Sequence, residues 1–148
     1  MAASHFAFIY LLLLLPFSAL KAQTFASVPD TAVADVIPEY PGGVQEFFKY
    51  ISKKFKTPAS AGKSLYQGSV LVTMIVDQDG RVIVDSLNYG RMAFYSKKAD
   101  EALKIKAHNE VDTEIRRMFS SMPNWRPGSI DGRPIRVKYT MPLRISFQ

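Results

Sequence analysis

The longest regular pattern in the chain is its last. Ile135, Val137, Tyr139, Met141, Leu143, Ile145 and Phe147 fall on one face, and Arg136, Lys138, Thr140, Pro142, Arg144 and Ser146 fall on the other. A period of two sustained over thirteen residues predicts a strand with one buried face. Proline has no N–H to give to a ladder, so Pro142 puts that strand at a sheet edge or at a bulge. A second period-two stretch sets Val70, Val72, Met74 and Val76 against Ser69, Leu71, Thr73 and Ile75. Asp79 and Gly80 follow with the turn chemistry of a tight hairpin, and residues 82–87 return. Both faces of the first hairpin strand are rather apolar, which suits a central position.

Helical spacing occupies the stretches between. Val44, Phe47, Phe48, Ile51 and Phe55 recur at i, i+3, i+4, i+7 and i+11. Lys49, Lys53, Lys54 and Lys56 gather towards the end of that helix, where the dipole favours cations, and Pro58 stops it. From Tyr95 to Met122 a second helical region carries Ala99, Leu103 and Ala107, then Val111, Ile115, Met118 and Phe119. Asn109 stands where it would cap a separate helix, so the region reads as either one helix or two. The predicted order is helix, strand, strand, helix, strand. That is an α+β fold of two layers, with helices packed on one face of a small three-stranded antiparallel sheet. The last strand pairs with the first hairpin strand and keeps a free side.

Length and composition narrow the class. The 148 residues, 47% of them apolar, suit one globular domain. No cysteine occurs, which excludes disulfides, thiolate metal sites and a cysteine nucleophile. The apolar block "FAFIYLLLLLPFSAL" is shorter than the roughly 20 residues a spanning helix needs, and Pro16 breaks it. Leu20, Lys21 and Ala22 before Gln23 place a small residue where signal peptidase requires one, although the preceding n-region offers only the α-amino group and His5. Residues 1–22 are therefore expected to be a signal peptide cleaved between Ala22 and Gln23, with an inner-membrane anchor as the alternative. Removing them lowers the formal charge from +6 to +5. Residues 23–37 are expected to form a tether and residues 38–148 the domain. An exported chain is not expected to bind nucleic acid, whatever its basic balance.

The ordered set of motifs resembles the TonB C-terminal domain family, in the form found in exported proteins of Bacteroidetes-type bacteria. Its markers are "PEYPGG" (38–43), Gly68 ahead of the first strand, "DQDGRV" at the hairpin, "SMPNWRPG" (121–128) and "DGRPIRVKYTMPLRI" (131–145). The structural positions within it are Pro41, Gly42, Gly43, Gly68, Gly80, Pro123, Trp125, Pro127 and Gly128. Thr57 and Pro58 replace the family's common Tyr-Pro pair, and residues 91–109 form an extra segment expected to be a helical insertion. An energy-transducing TonB also has a retained membrane helix and a long Pro-rich linker, which this chain does not display.

The resemblance implies recognition by strand addition, in which backbone hydrogen bonds give affinity and flanking side chains give selectivity. Carried over by position, the receiving edge is Arg133, Ile135, Arg136, Val137, Lys138, Tyr139, Thr140 and Met141, with Arg136, Lys138 and Thr140 pointing outward to acids on a partner. The expected setting is the periplasm and TonB-dependent transport across the outer membrane. The expected partner is an envelope protein such as the TonB-box segment of an outer-membrane receptor. The alternative is a structural or adaptor module of the envelope that dimerises through the same edge without transducing energy.

Other chemistry is weakly represented. Arg133, Arg136, Lys138 and Arg144 equally suit a guard against indiscriminate strand pairing. Trp125 suits the core or a lid over the end of the sheet. "DQDG" matches the start of a calcium loop, but the twelfth position from Asp77 is Asn88 rather than glutamate. His108 lies among lysines, and Asp112 and Glu114 face different directions on a helix. Neither an enzyme nor a cofactor or metal site is expected.

Overall fold

The computed structural model describes residues 34–147. The segment expected to be a signal peptide, and most of the tether, lie outside them. The fold is α+β. In chain order it comprises α1 (Gly43–Lys54), α2 (Ala59–Ser64), β1 (Tyr66–Val76), β2 (Val82–Phe94), α3 (Glu101–Ser120), β3 (Gly128–Ile130), β4 (Arg133–Ile135) and β5 (Val137–Ile145). The main sheet is antiparallel with order β2-β1-β5, and β3 and β4 form a separate two-stranded ribbon. No helix among the described residues is long and apolar enough to cross a membrane.

Alternation in β1 does what its pattern demands. Val70, Val72, Met74 and Val76 are fully buried, and Met141, Leu143 and Ile145 of β5 join them on the same face. Helix α3 covers that face with Ala107, Val111, Ile115, Met118 and Phe119. Asp100 starts it, its Oδ1 accepting from the Leu103 N–H at 2.8 Å. From that cap the region is one continuous helix, and Asn109 sits inside it. Helix α1 adds Phe47 and Ile51 and is tied to α3 by the Tyr50 hydroxyl, which donates to the Met118 carbonyl at 3.1 Å.

Four expectations need correction. Pro58 does not simply end a helix: α1 stops at Lys54, and Pro58 opens the short α2. Gly68 lies inside β1 at φ 142°, where an added Cβ would meet the Arg91 carbonyl oxygen at 2.1 Å. Residues 91–109 are helical only in part. Their first four extend β2 opposite Tyr66, Gln67, Gly68 and Ser69, while residues 101–109 are the opening turns of α3.

The final strand is also divided. Arg133 and Ile135 belong to β4, folded onto β3 through Asp131 and Gly132 at φ 49° and 72°. These are the two positive angles that a tight hairpin turn needs. Arg136 then carries the chain into the main sheet. The alternation runs through it unbroken, because a change of sheet that preserves parity leaves no mark in a period of two.

Candidate functional site

The two outer strands of the main sheet differ in kind. β5 pairs with β1 in unbroken register over nine residue pairs, from Gly68 with Ile145 to Val76 with Val137. On the other side, β2 carries one extra residue between Ser69 and Leu71 of β1, and another between Thr73 and Met74. Such bulges twist and bend an edge out of the geometry a further strand needs. Pro142 sits opposite Leu71 within the regular ladder, so its nitrogen faces away from β1. By the two-residue period the N–H groups of Lys138, Thr140 and Arg144 face the same side, which no strand among the described residues pairs.

Below that free side, on the face the helices cover, lies a groove of about 640 Å³. β5 supplies Tyr139, Met141 and Pro142, α1 supplies Val44 and Phe48, and the incoming chain supplies Val36, Ile37 and Pro38. Val44 and Phe48 share the apolar stripe of α1, and Tyr139 shares that of β5. Yet they are 64%, 55% and 45% exposed, and Ile37 is 69% exposed. Among the described residues nothing packs over them. Five of the nine large apolar residues exposed among those described line this one groove. Clustering of that kind marks an interaction surface more than scattered exposure does.

Behind the groove stands the aromatic cluster built by the "PEYPGG" and "PNWRPG" blocks. Trp125 is 8% exposed, with Tyr40 and Phe47 set edge-to-face against it at 5.7 and 5.3 Å between ring centroids. Its Nε1 is buried with no hydrogen-bond partner among the described residues. The Trp125 backbone N–H donates to the Gly80 carbonyl at 2.7 Å, and Asn124 Nδ2 donates to the Asp79 carbonyl at 3.1 Å. The hairpin turn is thereby fastened to the block that precedes β3. Arg126 and Glu39 exchange backbone hydrogen bonds of 2.8 and 3.0 Å and also form an ion pair.

Upstream, the Asp35 and Val36 N–H groups donate to the Ser129 carbonyl at 3.0 and 3.2 Å, so the chain is engaged before Pro38. Gly128 is buried between Val137 and Val36, where a Cβ would stand 2.6 Å from Val137 Cγ2. Gly42, Gly43, Gly80, Trp125 and Gly128 thus surround one cluster, with Pro41 and Pro127 beside them. Pro123 is exposed at its margin, and Gly68 lies apart from the cluster, near the far end of the hairpin.

The predicted edge residues divide. Arg133 and Ile135 lie in the ribbon, and Arg136 is the exposed link. Val137, Lys138, Tyr139, Thr140 and Met141 lie on β5. Lys138 and Thr140 do not point from the edge towards a partner. They lie on the sheet face opposite the helices, where Lys138 Nζ is 3.4 Å from Asp85 Oδ2, and the Thr140 and Thr73 hydroxyls are 3.0 Å apart. What the free side presents is backbone. The groove is not legible in the sequence because Val44, Phe48, Tyr139 and Met141 occupy positions a periodic pattern assigns to the core, while Val36 and Ile37 lie in the expected tether.

A second polar cluster joins α3 to the hairpin. The Tyr89 hydroxyl donates to Asp112 at 2.9 Å, and burial together with that bond pushes its ionisation far above the usual phenol range. Tyr66 Oη is 2.9 Å from His108 Nδ1. Among the described residues, no group of three or more His, Asp or Glu is placed to hold a metal ion. No family model, curated protein or solved structure matches the chain.

Proposed function

We propose that the chain is an exported, periplasmic TonB-like interaction domain that binds an extended segment of an envelope protein as a fourth strand beside β5. One observation carries the reading: the regular, unbulged edge is the one that borders the apolar groove. Strand addition draws affinity from a free ladder and selectivity from pockets for alternate side chains. β5 offers both together, whereas β2 offers a ladder interrupted twice. The motif order shared with TonB C-terminal domains supports TonB-dependent transport as the setting and a receptor's TonB-box segment as the partner.

The substitution Lys138→Pro tests this directly. Its N–H faces the same side as the nitrogen of Pro142, so the pairing with β1 survives while a donor of the free edge disappears. Lys138→Met keeps the donor and loses only the ion pair with Asp85. Calorimetric titration with a TonB-box peptide is expected to show binding by the wild type and Lys138→Met but none by Lys138→Pro, with equal far-UV circular dichroism for all three. Undiminished binding by the proline variant refutes strand addition at β5.

A further inference from the structure

Resting on that reading, we infer that the segment received by β5 alternates bulky apolar residues with acidic ones, each kind confined to one face. A strand laid beside β5 must follow its pleat, so its side chains point in turn to the helix side and to the open side of the sheet. On the helix side they enter the groove between Phe48, Val44, Ile37 and Tyr139. The charged groups there are already engaged: Glu39 with Arg126, and Asp35 with the Asp131 N–H at 2.8 Å. An apolar side chain is therefore what that face accepts.

The open side has the opposite character. Its row along β5 is Lys138, Thr140, Pro142 and Arg144, with Arg136 in the link just ahead of the strand. Asp85 neutralises Lys138, while Arg136 and Arg144 form no ion pair with the described residues. At the Arg144 end, Ser69 pairs with Arg144 on one side and Arg91 on the other. Two guanidinium-bearing positions thus share that face, with only a serine between them. A neighbouring strand sets its side chains roughly 5 Å from this row, a distance at which carboxylates attract and ammonium groups repel. Backbone pairing leaves sequence unspecified. The two faces specify it, and they ask for different residues in strict turn.

Three peptides of nine residues, the length of β5, test this on the untruncated protein. The first alternates Glu with Val and Phe. The second replaces each Glu by Lys. The third has the composition of the first with its acids gathered at one end. Trp125, the only tryptophan and part of the groove wall, reports binding by its fluorescence.

The alternating acidic peptide is expected to bind roughly tenfold more tightly than either of the others, from two cross-strand charge pairs. The pair Arg136→Glu and Arg144→Glu is expected to reverse the preference towards the Lys peptide, and Phe48→Asp to weaken both. Equal affinity for the Glu and Lys peptides, or for the alternating and blocked ones, overturns this inference even if Lys138→Pro abolishes all binding and so upholds strand addition. Binding indifferent to Lys138→Pro removes the strand-addition reading beneath it. So does a protein that binds none of the peptides, or one whose edge is closed by a second copy in sedimentation.

Discussion

Gly80 and Gly132 form a matched pair for measuring how firmly the hairpin turn is locked to Trp125. Both have left-handed backbones, at φ 80° and 72°. An added Cβ at Gly132 meets nothing within 4 Å, whereas one at Gly80 would stand 1.9 Å from the Trp125 carbonyl oxygen. Alanine at Gly132 therefore costs only the backbone penalty, about 1–2 kcal/mol. Alanine at Gly80 costs the same and also forces the turn off residue 125. That breaks the 2.7 Å bond from Trp125 N to Gly80 O and strands an N–H in a buried setting, adding about 1–3 kcal/mol.

The expected total at Gly80 is about 3–4 kcal/mol, a large share of a stability that is typically about 5–15 kcal/mol. Urea unfolding followed by Trp125 fluorescence measures both variants. At a slope of about 1.5 kcal/mol per molar, Gly80→Ala should lower the midpoint by roughly 2 M and Gly132→Ala by about half as much or less. Coincident midpoints would show that the turn does not lean on Trp125, and the account of how the groove's back wall is held would be wrong.

Two further perturbations follow from other contacts. Asp100→Ala removes the acceptor that caps α3 and should cost about 1 kcal/mol, while Asp100→Asn, an equally good cap, should cost little; urea midpoints distinguish them, and equal losses would refute the capping role. The hydrogen bond from Arg117 holds the Glu114 carboxyl below its usual value of 4.5, with the Lys56 N–H helping and burial opposing. The unfolded chain thus takes up this proton at higher pH than the folded one does. The stabilisation is complete above the unfolded value and is lost as pH falls through the folded value. Glu114→Gln should flatten that part of the acid-side decline in the urea midpoint, and parallel declines in the two proteins would refute the linkage.

The sheet and its order were legible because periods of two and 3.6 are direct records of which side faces the core. Val70 to Val76, Met141 to Ile145 and Val111 to Phe119 are cases where the pattern and the burial agree. Pro142 disclosed the edge because a missing N–H is a chemical fact, not a tendency. Periodicity is silent where the same parity serves two ends. Arg136 passes between sheets without a break in the alternation, and Met92 and Phe94 continue β2 while appearing to belong to an insertion. The six residues of α2, ASAGKS, are too short and too small to show a stripe.

The site suffered most from this silence. A pattern states which way Phe48, Val44 and Tyr139 face, but not whether another element packs over them, and the groove is the space left between α1 and β5. Lys138 and Thr140 were misplaced for a related reason. Alternation separates the two faces of a sheet, whereas the direction towards a new strand lies in the plane between them.

The contrast between a bulged β2 and a regular β5 has a consequence for stoichiometry. A sheet with two good edges is a bifunctional monomer and can polymerise; under the proposed strand addition this one is monofunctional, and each addition terminates growth. A short peptide added at β5 would saturate at one per chain. A second copy added at the same edge would close a two-fold pair whose outer strands are both the bulged kind. Neither route propagates into a fibre, so a long exposed strand can remain available to a partner at high local concentration without the chain consuming itself.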